Sequence, residues 1–391
     1  MTTKAHQLFA EVERIARDVA GPAAQDVDQN SRFPHEAIDA LKTARALSCG
    51  IPEELGGFGF DIWEQGRLCI KLSEYCASAS MVFGMHLIKV SSLAHFGMGS
   101  EPHEAYLRDI VEEQRLVASV TSEEGIGGNL RNSITAVEID GDRFRLVKES
   151  TCLSYGAYAD DMLLTCRRNA DSPASDQVVV LARRGDFKLE QNGEWDAMGM
   201  RGTCSPPFTV TIEGPAWQVF GVPFADIATR TMVPETHIIW SCIWHGIAVD
   251  AVARARALVQ MKSRKNPEIT DAARKLALVG GKLQMMRNDI ESVAREYMVA
   301  HQSDDVDRLT SLEFSLRINN LKVNSSEFAR DIVAEAMEIT GFLGYLNNTE
   351  FSVTRHLRDA YSAAPMIGNG RLIDTNAMMS MVYKGDSQHS G

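Results

Sequence analysis

Two stretches of this chain gather the residue types that can hold a flat, polar ring. The first is Ser119-Val120-Thr121-Ser122-Glu123-Glu124-Gly125-Ile126-Gly127-Gly128-Asn129, and the second is Thr151-Cys152-Leu153-Ser154-Tyr155-Gly156-Ala157-Tyr158-Ala159-Asp160. Between them, Ile139-Asp140-Gly141-Asp142 sits among alternating residues. Asp-Gly in that setting signals a tight turn between antiparallel strands. Such a hairpin brings the Ser122 loop and the Ser154 stretch back toward each other. Both offer hydroxyls and backbone N–H groups, which a ring with several acceptors and one or two donors requires.

Rival chemistries find less support. Gly125-Ile126-Gly127-Gly128 is not a dinucleotide fingerprint, because the third glycine is absent and a hairpin rather than a helix follows. His86, His95 and His103 are too far apart in sequence to form a local metal motif, and no metal site is expected. The seven cysteines (Cys49, Cys69, Cys76, Cys152, Cys166, Cys204, Cys242) form no C-x-x-C pair. Their odd number fits free thiols in a reducing cytosol. A net charge of −12 argues against nucleic acid and against an anionic membrane surface. Met1 to Gln7 carries no apolar signal-peptide core. No run approaches the ~20 apolar residues of a membrane span. A cytoplasmic protein is expected.

Three blocks must position the two serine segments, and together they read as an α+β fold. Residues 1–117 are helical in pattern. Leu8, Phe9, Val12, Ile15, Ala16 and Val19 recur at helical spacing until Gly21-Pro22, which reads as a stop. Phe33-Pro34 opens a second helix. Ile51 to Gly59 is a glycine-rich loop, and helical periodicity returns over 61–115. Residues 118–232 change to short β-rich runs, at 133–138, 143–147, 161–165, 178–181 and 208–212, as in a small β-barrel or sandwich. Residues 233–391 are helical again. Trp240, Ile243, Trp244, Ile247, Ala251, Ala255 and Leu258 make one apolar stripe; Leu276, Leu283, Ile290, Val293 and Tyr297 make another. Leu321, Phe328, Ile332, Ala336 and Ile339 make a third. Long helices with such stripes pack as a bundle, here a four-helix bundle.

Several segments resemble the acyl-CoA dehydrogenase superfamily. Ser122-Glu123 followed by Gly127-Gly128-Asn129 is similar to its Ser/Thr-Glu-Pro-x-x-Gly-Ser-Asp loop. Cys152-Leu153-Ser154-Tyr155-Gly156 with Ala159-Asp160 resembles its Trp-Ile-Thr-Asn-Gly-x-x-Ala-Asp stretch. Ile51 to Gly59 is similar to its Pro-Glu-Glu-x-Gly-Gly-x-Gly loop, and Asn348 to Ala360 to its Asn-Thr-Glu-x-Pro-Val segment. The resemblance covers nearly the whole chain and implies that the two serine segments cradle a flavin isoalloxazine. Ser119, Thr121, Ser122, Gly127, Gly128, Cys152, Leu153 and Ser154 are then the cofactor-binding candidates. Ser154 is expected near flavin N5 and Ser122 at the pyrimidine edge. Arg264 aligns with the family arginine that pairs with the FAD pyrophosphate across a dimer, a role suited to a bidentate guanidinium. Pro267-Glu268 replaces the usual Phe-Gly and Lys275 the adenine-side Gln, so FMN or loosely held reduced flavin stays open beside FAD.

One departure bears on the reaction. The family's Glu-Gly-Thr loop supplies the base that removes the α-proton of an acyl-CoA. Counting without gaps from Arg358-Asp359, that position holds Ile367, and a two-residue shift gives Asn369. Neither is a base, and α-proton abstraction needs one. Some members take it from the helix opening the C-terminal bundle. There the nearest carboxylate is Glu235, in Val233-Pro234-Glu235-Thr236-His237. A carboxylate beside an apolar cavity would have a raised proton affinity. His237 is a second candidate. The resemblance implies an FAD-dependent oxidoreductase that oxidises an acyl thioester on CoA or on an acyl or peptidyl carrier protein. A dimer or tetramer, with an electron-transfer flavoprotein as a further partner, is implied with it. The alternative is a two-component flavin monooxygenase of the same fold, fed by a flavin reductase and using O₂.

Overall fold

In the computed structural model the chain is described over residues 3–126, 129–264 and 269–384. Its N-terminal part is helical, with helices Ile62–Ser73, Ala77–Gly97 and Glu101–Glu113 following the first two. A capping box starts Ile62–Ser73: the Asp61 carboxylate accepts from Glu64 N–H at 2.8 Å, and Glu64 accepts from Asp61 N–H at 3.1 Å.

The expected stop at Gly21-Pro22 does not occur. Thr3–Ile15 passes through a π turn, Ala16–Ala20, into Gly21–Gln29 without leaving helical angles. Proline normally breaks a helix by removing an N–H and clashing with the carbonyl four residues back. The π turn widens the helix just before Pro22 and relieves both problems. The same device recurs at Pro234. Phe224–Ile227, the π turn Ala228–Met232 and Val233–Ser263 form one helix of 40 residues, so the C-terminal helical part begins nine residues before the position 233 read from sequence.

The central part is two separate sheets. One has β1 (Val117–Val120), β4 (Asp161–Arg167) and β5 (Gln177–Ala182), in the order β1-β4-β5. The other has β2 (Glu138–Asp140), β3 (Arg143–Ser150), β6 (Phe187–Gln191) and β7 (Phe208–Pro215), in the order β2-β3-β7-β6. No closed barrel forms among the described residues, which corrects the barrel expectation: the strands divide into two sheets. Asp140 pairs with Arg143 across Gly141, whose φ is +59°, as the Asp-Gly turn requires. β3 alternates exposed and buried along its length, whereas β5 is buried throughout and β4 as far as Cys166.

Val233–Ser263 is the spine of the C-terminal part. It packs against Ile62–Ser73, Ala77–Gly97, Asp271–Gln302 and Leu312–Thr340, and Asn369–Val382 lies against Leu312–Thr340. Close crossings use small residues: a Cβ at Gly66 would lie 2.7 Å from Cys242 Sγ, and one at Gly84 2.7 Å from Ile239. Contrary to the sequence reading, two helices, Ala77–Gly97 and Phe224–Ser263, are long and apolar enough to cross a membrane. Their apolar windows are 89% and 78% buried inside the fold, which accounts for the composition as core.

Candidate active site

A cavity of about 1040 Å³ opens where the three parts meet. Ala77–Gly97 supplies Met81, Met85, Ile88 and Lys89, all on one helical face. The first serine segment supplies Ser119, Thr121 and Ser122, and the second Cys152 and Ser154. The opposite wall is Trp240, His237, Phe314 and Ile318 from the bundle, closed by Arg358, Ile367 and Arg371.

The hairpin joins the two serine segments as expected. Ser122 Oγ accepts from Cys152 N–H at 3.1 Å and donates to Cys152 C=O at 2.8 Å, with Ser150 Oγ also at 2.8 Å. That proton is therefore committed to the protein, and Ser122 offers a ligand only its backbone and lone pairs. Beneath it, Glu123 accepts from Ser133 Oγ at 2.6 Å and from the N–H groups of Ile134 and Thr135. Buried Lys148 lies 3.4 Å from it and donates to Thr165 C=O at 2.6 Å. These bonds and the lysine charge outweigh burial and hold Glu123 below the usual carboxylate range.

Ser154 is pinned by its neighbours. Leu153 N–H donates to Pro206 C=O and Tyr155 N–H to Thr203 C=O. Tyr155 sits at φ 45°, a costly conformation for a non-glycine residue; its buried ring and a 3.0 Å hydroxyl bond to Val117 C=O hold it there. Ser205 Oγ donates to Ser154 Oγ at 2.9 Å, leaving the Ser154 proton for an acceptor in the cavity. Leu153 does not face the cavity. Cys152 and Ser154 point in, so the residue between them points into the core, where Leu153 is fully buried. Gly127 and Gly128 lie outside the described residues. Arg264 is exposed at the far end of Val233–Ser263, 27 residues beyond His237 and about 40 Å along the helix axis. It is not part of this cavity within one chain.

The loop carrying Trp195, Met198 and Met200 is clamped onto the C-terminal segment. Met200 N–H donates to Asp359 Oδ1 at 2.7 Å, and a Cβ at Gly199 would lie 2.1 Å from Arg358 C=O. Only glycine permits that approach. Burial raises Asp359 to about 6, against the pull of nearby Arg355. Arg358 itself pairs with Asp28 of the N-terminal part.

The two acid–base candidates face opposite ways. They are two residues apart on one helix, about 200° around its axis. His237 lines the cavity. Its Nδ1 lies 3.1 Å from Ile318 C=O, which can only accept, so Nδ1 carries the proton and Nε2 presents a lone pair. Burial lowers His237 to about 4, and Lys322 nearby adds to this, so the ring is neutral near pH 7. Glu235 does not line the cavity, contrary to the role read from sequence. Its Oε1 accepts from Ser91 Oγ at 2.7 Å and from the Tyr297 hydroxyl at 2.8 Å. Tyr297 also reaches Arg230 C=O at 3.1 Å, the carbonyl whose helical partner Pro234 removed. Burial raises Glu235 to about 7.

Ile367, the position matched by ungapped counting, is on the cavity wall. Asn369 is not; its side chain is held by Lys322, Ser326 and Glu327. Among the described residues no Asp or Glu lines the cavity, whereas Lys89, Arg131, Arg358 and Arg371 do. Sequence reasoning missed Lys89, although a signal was there: it is the sole Asp, Glu, Lys or Arg in the 21 residues of Ala77–Gly97. Ser205 and Thr203 were also missed, since nothing local ties them to Ser154. No group of three or more His, Cys, Asp or Glu is placed for a metal ion among the described residues.

Comparisons with known proteins agree with this layout. The family described as acyl-CoA dehydrogenase, N-terminal domain, matches residues 2–114, and acyl-CoA dehydrogenase, C-terminal domain, matches residues 239–373. A cyclohex-1-ene-1-carbonyl-CoA dehydrogenase of Geobacter metallireducens is 22% identical over 356 residues, covering 88% of this chain and 90% of that one. Among solved structures, KijD3 in complex with dTDP superposes with a TM-score of 0.85 at 19% identity, covering 98% of both chains. The dibenzothiophene monooxygenase TdsC of Paenibacillus sp. A11-2, in its FMN-bound form, gives 0.82 at 17% identity, covering 95% of this chain and 96% of that one.

Proposed function

We propose that this chain, which belongs to the acyl-CoA dehydrogenase superfamily, is a flavin-dependent oxidoreductase whose reaction uses no carboxylate base, and that it works as a two-component flavin monooxygenase. The observation that carries this reading is the lining of the cavity: four cations, an isoleucine at the position that ungapped counting matches to the family's glutamate, and no carboxylate among the described residues. Removal of an α-proton needs a positioned base. Oxygenation of a small molecule needs instead a dry, apolar cavity and a group that can hold or pass one proton, which His237 Nε2 supplies.

The residues present fit the ring half of a flavin. The free Ser154 proton and the backbone of Ser119 to Ser122 provide the donors and acceptors that a planar ring reads. Arg131, Arg358 and Arg371 provide charge for a phosphate. The flavin would supply two-electron transfer and, when reduced, reactivity toward O₂. The protein would orient the ring through Ser154, exclude water with Met81, Met85, Trp240 and Phe314, and hold a proton acceptor at His237 Nε2. Among the described residues Arg264 is not part of this cavity, so FMN or reduced flavin received from a reductase fits better. FAD binding through Arg264 would require a second subunit.

A second reading is favoured by His237 itself. A neutral imidazole facing the cavity could take an α-proton, which would make the enzyme an acyl thioester dehydrogenase acting on a CoA- or carrier-protein-bound chain and passing electrons to an electron-transfer flavoprotein. Titration of purified protein with oxidised and reduced FMN and FAD separates the two. Tighter binding of reduced flavin, with oxygenated product formed in the presence of a flavin reductase, is expected. A protein that retains stoichiometric FAD and is bleached anaerobically by an acyl-CoA would overturn the monooxygenase reading.

A further inference from the structure

Among the described residues three lysines are buried, and two of them have hydrogen-bond partners for their ammonium. Lys148 donates to Thr165 C=O and faces Glu123. Lys322 donates to Ile367 C=O at 2.9 Å and Asn369 Oδ1 at 2.6 Å, and lies over the Trp244 ring. Lys89 is the exception. It is 5% exposed, it lines the cavity, and its ammonium has neither a hydrogen bond nor an ion pair among the described residues. Glu235 attracts it without forming a hydrogen bond or an ion pair with it: Glu235 Oε1 is taken by Ser91 and Tyr297, and Oε2 is buried with no hydrogen-bond partner. An ammonium carries three donors. Burying it unpaired is costly, so it persists where something else pairs with it.

Its position says what that partner is attached to. Ser78 Oγ, on the same helix, accepts from Gly202 N–H at 3.2 Å, which marks the end of the helix beside the Ser205–Ser154 pair. Lys89 is 11 residues further on, about 16 Å along the axis at 1.5 Å per residue. Between them the helix presents Met81, Met85 and Ile88 to the cavity. We propose that Lys89 anchors the anionic end of the substrate, and that the substrate is an apolar organic anion whose charged group lies at the end of the cavity remote from Ser154. This rests on the cavity being the reaction site, but it concerns ligand recognition and not the reaction, so it can be tested without flavin or turnover.

The probes are a matched pair: 1-anilinonaphthalene-8-sulfonate, an apolar anion, and N-phenyl-1-naphthylamine, the same body without the sulfonate. Trp195 and Trp240 line the cavity, so energy transfer from tryptophan reports binding there. Wild-type protein should bind the anion at least 10-fold more tightly than the amine. Lys89→Met should abolish that preference while leaving amine affinity within 2-fold, and Lys89→Arg should keep it. No preference in the wild type, an unchanged preference in Lys89→Met, or equal loss of both probes in Lys89→Met overturns the proposal. Lys89→Arg shows whether a folding defect, not the charge, is responsible. Flavin titration of the same variants reads the oxidoreductase assignment separately.

Discussion

The Tyr297 hydroxyl donates to Glu235 Oε1 at 2.8 Å, and that bond turns the carboxylate nearest the expected base position into a structural group. The same hydroxyl reaches the Arg230 carbonyl freed by Pro234. Buried Glu235 and Tyr297, with half-buried Ser91, therefore form a polar cluster that secures the π turn at the helix start, and Glu235 does not line the cavity.

Glu235→Gln should leave turnover within about 3-fold of wild type, because the side chain meets no ligand. Its signature is in stability. Burial raises the folded carboxyl to about 7 against an ordinary value of 4.5. The folded state thus binds the proton more tightly, and this stabilisation is full below 4.5 and lost as pH rises to about 7. Urea unfolding at several pH values should show the variant gaining on wild type over that window, by up to about 3 kcal/mol. A large loss of turnover would return Glu235 to the reaction.

His237→Ala should lower turnover by about 10²- to 10⁴-fold, the usual worth of a positioned proton acceptor. Flavin affinity should stay within about 3-fold. Since burial lowers His237 to about 4, the wild-type rate should not titrate through this group between pH 8 and 5, and should fall only toward pH 4 as Nε2 is protonated. An inflection near 6.5 that disappears in the variant would contradict the buried, neutral ring.

Ser154→Ala should weaken flavin binding by about 3- to 10-fold, corresponding to one hydrogen bond of about 1 kcal/mol. Ser205→Ala should have a smaller effect in the same direction, because Ser205, held by Thr203, supports the ring by donating to Ser154. Flavin titrations that rank Ser205→Ala above Ser154→Ala would mean that the relay is misassigned.

The chain should assemble into a homodimer or homotetramer. Leu278 and Met285 on Asp271–Gln302, and Met378 and Met381 on Asn369–Val382, are exposed, Leu278 at 70% and Met381 at 80%. Both helices pack on Leu312–Thr340, and exposed apolar groups of this kind mark an association surface. Sedimentation of Leu278→Glu/Met381→Glu protein should show a smaller species than wild type. A monomeric wild type would also remove the cross-subunit role of Arg264.

The sequence by itself determined the three-part layout and the hairpin. Helical stripes such as Trp240 to Leu258 and the Asp140-Gly141 turn are local periodicities, and local patterns survive folding unchanged. Ser122 and Ser154 were legible for the same reason, since one short hairpin joins them. The tertiary structure alone decided which groups face the cavity. Pro22 and Pro234 read as helix boundaries because a π turn leaves no compositional mark. Glu235 read as the first candidate and His237 as the second because adjacency in sequence does not say which side of a helix meets the core. Lys89 and Ser205 come to the site through contacts between parts distant in the chain, and only packing could bring them there.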